Sequence, residues 1–364
     1  MRHLPSFTSV AALVALTVST AEGQVQHEGW SAHPLTTVVL NPPGAREAGL
    51  GAAGSLLVTG PAAAWWNPAR LARAGSGVTA HSYALYPYHH SGHSRHQFLA
   101  ASWATGWKGL GVGVAANRIL YPEMIRTDEL GHMVGRDRPA NTDLTVAAGL
   151  PLGRDWRAGA GLRWLQEDWG IFDFKGTAWA LNAGLAWRKP GRWPVAAGVK
   201  LDNLGTVVHF EPSFNFSLPA TATMALALDG LELADGRLSV AGEAVKLLSY
   251  ENSSVPANVF TSWFRHGVRA ELHEADYRLG AEYERAFTLP KLGELRLALR
   301  GGRRVLPARE LRNWTWGLGL GWHGVQVEYS QEHETPRGAW LARDVTRRFS
   351  LGLSFSSDRA EAGD

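Results

Sequence analysis

Three stretches of the chain carry tryptophan at both ends of an alternating apolar row, eight positions apart. Trp156, Ala158, Ala160, Leu162 and Trp164 share one face of an extended segment, and Arg157, Gly159, Gly161 and Arg163 share the other. Trp179, Leu181, Ala183, Leu185 and Trp187 oppose Ala180, Asn182, Gly184 and Arg188 in the same way. Trp314, Trp316, Leu318, Leu320 and Trp322 oppose Thr315, Gly317, Gly319 and Gly321. Eight residues at about 3.3 Å each, tilted by about 40°, rise roughly 20 Å, close to the apolar band of about 25 Å between the aromatic girdles of a membrane barrel. A soluble sandwich uses shorter strands and buries its Trp near the middle. The Trp rings therefore mark the two water boundaries of strands that cross a membrane.

Other segments repeat the alternation with smaller ends. Leu110, Val112 and Val114 alternate with glycines, Leu295, Leu297 and Leu299 with Arg296, Ala298 and Arg300, and Phe349, Leu351, Leu353 and Phe355 with Arg348, Ser350, Gly352 and Ser354. The apolar sets carry no charge. The opposite faces carry Arg157, Arg163, Arg278, Glu282, Arg296, Arg300 and Glu328, which predicts a polar lumen of mixed sign. From residue 77 onward the connectors run alternately long and short, which predicts an all-β, transmembrane, antiparallel up-and-down barrel of about fourteen strands with both ends in the periplasm. Residues Val268 to Arg285 are expected to form one long or bulged strand, since a separate strand at 267–272 would break the rhythm.

Ahead of the barrel, Gly44 to Ala72 is rich in Gly and Ala, keeps neither the strand nor the helix period for long, and is too apolar for an exposed tail. It is expected inside the barrel as a hatch or plug. Gly49-Leu50-Gly51-Ala52-Ala53-Gly54 fits a dinucleotide fingerprint, but no helix opens on the third Gly. After Glu47 the next carboxylate is Glu123, too far on to hold a ribose. Gly49, Gly51 and Gly54 are instead tight turns of the plug. Asn67-Pro68 predicts a short helix just before the wall, from a good N-cap followed by Pro at the first helical position. With Trp66 these residues are the gating candidates.

Residues 1–23 have the weakly basic start, short apolar run and small-x-small end of a cleaved signal peptide. The expected organisation is a signal peptide at 1–23, a plug at 24–75, a barrel at 76–356 and a polar tail at 357–364. The chain has no Cys, hence neither a disulfide framework nor a lipidated thiol. Its formal charge of +3 is scattered, which excludes a nucleic-acid footprint. The 41 Gly ask for close backbone packing.

Several of these stretches resemble the PorV/PorQ family of outer-membrane proteins, which belongs with the FadL-like transporters. The glycine run at 49–54 followed by Trp66-Asn67-Pro68-Ala69 resembles its N-terminal pattern, and Asn203-Leu204-Gly205 ahead of Leu218-Pro219 its mid-chain motif. Gly280-Ala281-Glu282-Tyr283, Leu299-Arg300-Gly301-Gly302 and Arg348-Phe349-Ser350-Leu351 resemble its closing strands, in order. The resemblance implies a fourteen-stranded barrel with an internal hatch in the bacterial outer membrane. It implies work in type IX secretion, with secretion subunits and exported cargo as partners, or alternatively a FadL-like passage for long-chain fatty acids or other hydrophobic small molecules. The chain departs from the pattern in continuing past Phe355, where such barrels usually end on an aromatic residue.

No catalytic, cofactor or metal site is expected. His89, His90, His93 and His96 cluster near the first external loop, but no Cys or paired carboxylate completes a metal set. There is no G-x-S-x-G elbow or H-E-x-x-H, and Glu129 to His132 sits in a Gly-flanked loop. The external loop from Glu167 to Phe174 exposes Trp169, Phe172 and Phe174 beside three carboxylates; such an apolar cluster on a loop tip more often caps the barrel mouth, and it is also where a hydrophobic ligand or partner would dock.

Overall fold

The computed structural model describes residues 37–85, 94–170, 174–205, 208–210, 214–248, 267–291, 293–307, 311–336 and 345–355. The signal-peptide segment, His89, His90, His93, Phe172 and the C-terminal tail lie outside the described residues.

Fourteen antiparallel strands form the wall: β1 Ser76–Leu85, β2 Ser94–Ala104, β3 Gly111–Leu120, β4 Ala140–Pro151, β5 Trp156–Asp168, β6 Lys175–Lys189, β7 Val195–Gly205, β8 Thr221–Leu233, β9 Gly236–Leu247, β10 Asp276–Leu289, β11 Gly293–Leu306, β12 Leu311–Trp322, β13 Val325–Pro336 and β14 Val345–Phe355. Each pairs with its neighbours in sequence. The barrel closes where β1 meets β14, in register from Ser76 opposite Phe355 to His81 opposite Ser350. Closure removes the unpaired edges that lipid would not tolerate. No helix among the described residues is long and apolar enough to cross a membrane.

The expected alternation is present in three dimensions. Leu162, Leu181, Val199, Met224, Leu226, Leu299, Leu318, Phe349 and Leu351 project outward and are exposed, while alternate positions are buried. Trp156 lies opposite Trp187 and Trp164 opposite Trp179 across the β5–β6 pair, so two Trp pairs bracket one apolar panel. Trp314 stacks flat on His333 at 4.1 Å across β12–β13, with Trp322 at the other end of its strand.

Two expectations on the wall are corrected. Residues Val268–Glu274 form a helix, not the first half of a bulged strand, and β10 begins at Asp276. The helix starts after Gly267 at φ 82, its Val-Arg-Ala-Glu-Leu-His-Glu run is rich in helix formers, and Glu271 is buried against Lys246 of β9. Glu167 is not the start of a loop: β5 continues to Asp168, and Glu167 faces inward after Arg163 and Leu165. Two small hairpins stand on external connections. One joins Met124–Thr127 to Met133–Asp137, and the other joins Val208–Phe210 to Phe214–Phe216 and extends the outer end of β6.

The segment from residue 37 to 72 fills the lumen as short turns and helices, the longest being Ala45–Gly49. Inward-facing small residues of the wall let it sit close. Leu50, Leu56 and Leu57 pack on Ala196, Ala225, Ala227 and Ala241. A Cβ at Gly302 would overlap the backbone of Leu50 and Gly51, and one at Gly159 the backbone of Pro68 and Ala69. The abundance of glycine is thus explained by wall and plug touching backbone to backbone.

Candidate functional site in the plugged lumen

Short turns mark the periplasmic end. By that orientation the segment described from residue 37 runs from the outer end, near Val38, to the inner rim, where Leu71 packs on the start of β3. Most of its contacts with the wall form a polar seam. Gly51 sits at φ +63, and a Cβ there would come within 2.6 Å of the Arg303 backbone nitrogen, so a side chain is excluded twice over. Its N–H donates to Thr315 Oγ1 at 3.0 Å, and that hydroxyl donates to Gly49 O at 2.9 Å. The Ala45 N–H donates to Ser350 Oγ at 2.8 Å. Asn67 caps the Pro68–Leu71 3₁₀ turn by accepting from the Ala69 N–H at 3.1 Å and donates to Ser55 O at 3.0 Å.

Charges reinforce the seam. Arg46 of the plug grips Glu282 of β10 through two hydrogen bonds, 3.0 and 2.8 Å, and donates a third to Leu57 O at 3.1 Å. Arg300 of β11 bridges Glu282 to Glu328 of β13. Burial works against the Arg46 charge, but the Glu282 carboxylate outweighs it and holds the guanidinium above its usual range. Burial pushes the Glu47 carboxyl up, with Arg46 opposing the shift in part. Glu243 accepts from both the N–H and the hydroxyl of Ser55, at 2.7 and 2.6 Å. On the β4–β5 side, Trp65 donates to Asp143 at 3.2 Å and lies under the Arg163 guanidinium at 5.2 Å. Arg163 donates to Asn203 Oδ1 at 2.6 Å, and Asn203 donates onward to Pro219 O at 3.1 Å. The Asn-Leu-Gly and Leu-Pro motifs are therefore one contact. At the rim, burial lowers Arg70 to about 10 against the pull of Asp229, 3.7 Å away.

At the outer ends of β3 to β6 the lumen changes character. Val38 and Val39, at the leading edge of the plug, pack with Ile119, Leu165, Ala178, Val208, Phe210 and Leu218, and with the partly buried Tyr121, Trp169 and Phe174. Phe174 and Phe210 stack at 4.6 Å and 16°, and Trp169 meets Phe174 edge-on at 5.6 Å. Asn117 donates to Val38 O at 3.0 Å, and His96 links Asn117 to Tyr83. Glu167 projects into this apolar region at 1% exposure, and neither carboxylate oxygen has a hydrogen-bond partner; Trp169 Nε1 is likewise buried without one. Apolar walls with a few convergent polar groups are the usual make-up of a small-molecule site.

The structure gathers Gly49, Gly51, Gly54, Trp66, Asn67 and Pro68 into the plug, all buried. Arg163, Arg278, Glu282, Arg300 and Glu328 join the lumen networks. Arg157 and Arg296 are only half buried, and Arg296 pairs with Glu294 at 3.3 Å. Trp169 and Phe174 pack inward at the mouth, where Phe210 from the neighbouring hairpin stacks on Phe174 and meets Trp169 edge-on. His96 is on β2 and faces the lumen, not the loop. Sequence reasoning missed Glu167 by ending β5 too soon; the inward alternation Arg163, Leu165, Glu167 was the available signal. A hollow of about 1190 Å³ lined largely by the lipid-facing Trp187, Val199, Met224, Leu226 and Leu279 lies on the membrane side of the wall.

A closed, even-stranded antiparallel barrel with an apolar outer face, Trp at the strand ends and a plugged polar lumen defines a transmembrane barrel of the outer-membrane type. Among solved structures, the chain is similar to the toluene transporter TbuX of Ralstonia pickettii, with 13% identity, a TM-score of 0.53, and 87% of this chain and 99% of that one covered. It is also similar to a deletion mutant of the TodX monoaromatic hydrocarbon channel, with 10% identity, a TM-score of 0.51, and coverage of 87% and 100%. These likenesses are of fold. No family model matches the chain, and no curated protein matches it in sequence.

Proposed function

We propose that this chain is a non-enzymatic outer-membrane channel that binds an apolar small molecule at its outer end and passes it inward when the plug yields. The observation that carries the reading is the apolar, ring-lined cluster of Val38, Leu165, Trp169, Phe174 and Phe210 at the top of an otherwise ionic lumen. A water-filled pore has no use for such a cluster at its mouth. The fold shared with TbuX and TodX, a toluene transporter and a monoaromatic hydrocarbon channel, supports the same choice. On this reading residues 1–23 direct export, residues 24–75 supply the plug, and the Trp pairs seat the barrel in the outer membrane. The type IX secretion role implied by the PorV/PorQ motifs has no comparable support.

The test is uptake. Bacteria carrying the folded, heat-modifiable protein should accumulate radiolabelled toluene faster than cells with an empty vector. Equal rates would contradict the channel reading, and recovery of secretion subunits or exported cargo in a pull-down from solubilised membranes would favour the secretion reading.

A further inference from the structure

We infer that Glu167 and Trp169 select the polar end of the ligand: the outer cluster takes a flat apolar molecule bearing a hydroxyl group and turns away molecules that end in a carboxylate. The inference rests on the proposed function and deepens it. Its basis is a contrast within the lumen. Asp143, Glu243, Glu282 and Glu332 are all buried or nearly so, and each accepts a hydrogen bond from a neighbour. Glu167 is as deeply buried and has none. Register explains why: it stands opposite Gly176 on β6, which offers no side chain, and opposite Asn141 on β4, whose amide donates to the Tyr121 hydroxyl at 3.2 Å. The space over Gly176 is taken by Val208 and Phe210, both apolar.

A carboxyl buried without a partner costs free energy, and such a group calls for an explanation beyond packing. Trp169 supplies the complementary fact. Its Nε1–H is a buried donor without an acceptor in the same cluster. One hydroxyl answers both, because it donates one hydrogen bond and accepts another. Its O–H would donate to a Glu167 oxygen and its lone pair would accept from Trp169 Nε1–H. The stacked Phe174 and Phe210 rings suit a flat body behind that hydroxyl. A carboxylate in the same place would leave its charge in an apolar cluster with no cationic partner, beside another acidic group.

The experiment compares three ligands on one ring, toluene, p-cresol and 4-methylbenzoate, by equilibrium dialysis against the full protein in detergent, with detergent alone as the blank. p-Cresol should bind about tenfold tighter than toluene, a modest net gain for two hydrogen bonds set against desolvation of the hydroxyl, and 4-methylbenzoate should not bind measurably. Glu167→Leu should bring p-cresol to within about twofold of toluene, because the hydroxyl proton is then buried without an acceptor and offsets the bond from Trp169, and should leave toluene within about twofold, whereas Glu167→Gln should keep part of the preference because an amide oxygen still accepts. If toluene and p-cresol bind equally to the unaltered protein, if the preference survives Glu167→Leu, or if 4-methylbenzoate binds best, the assignment is wrong while the outer-site reading stands. If none of the three binds, the outer-site reading fails and takes this assignment with it.

Discussion

Two sides of the lumen differ in how the plug is held: the wall of β9 to β14, and the outer ends of β3 to β6. On the first, Arg46, Ser55 and Gly51 are tied to Glu282, Glu243 and Thr315, and glycines on both sides let the backbones touch. On the second, Val38 and Val39 lean on an apolar cluster and are tied to the wall by the Asn117 amide. The first is a lock of directional bonds that break one at a time; the second is a non-directional surface on which a ligand can replace plug side chains at small cost. Binding and closure are therefore assigned to different residues, and perturbing one should spare the other.

The largest effect should come from steric removal of the lock. Gly302→Leu places a side chain where Leu50 and Gly51 lie, and neither backbone can retreat from the wall. The plug should be expelled, seen as protease cleavage within 44–72 and a rise in planar-bilayer conductance, while the barrel stays heat-modifiable. Next is charge. Glu282→Gln leaves Arg46 and Arg300 buried beside a neutral amide, and removing one member of such a buried network costs about 3–5 kcal/mol. Hydrogen exchange of the 45–58 amides should accelerate accordingly, with toluene binding little changed.

A pH series separates the two sides more finely. Because burial raises the Glu47 carboxyl, its contribution to plug docking is complete below the ordinary glutamate range and is lost as pH rises through the raised folded value. Protection of the 45–58 amides should therefore fall with rising pH, and Glu47→Gln should flatten that slope. A slope that persists in the variant would assign the effect to another group. The smallest effect belongs to the outer cluster: Trp169→Ala removes an edge-on contact worth about 1 kcal/mol and should weaken ligand binding several-fold without changing exchange of the 45–58 amides.

How much of this was legible in the sequence follows from the range of the interactions. The wall could be read because lipid imposes one rule on every strand: Trp156, Trp164, Trp179 and Trp187 record the membrane boundaries in a local, period-two pattern. The plug could be recognised from Gly44 to Ala72 as something needing enclosure, but not its partners, since Arg46 meets Glu282 across 236 positions. The helix at 268–274 was hidden because a short apolar-polar run fits both periods and its buried contact, Lys246, lies on another strand. The outer cluster was half visible in Trp169 and Phe174; that they turn inward depends on Phe210, placed by a hairpin with no strong pattern of its own.

The division of labour can be tested with one covalent staple. The chain has no Cys, and Ala45 of the plug already bonds Ser350 of β14, so Ala45→Cys with Ser350→Cys introduces a single switchable link between plug and wall. With the disulfide formed, toluene uptake by cells should fall about tenfold or more and recover on reduction, while toluene binding to the purified protein stays the same in both states. Undiminished uptake through the oxidised protein would show that passage does not require the plug to leave the wall, and would contradict the account.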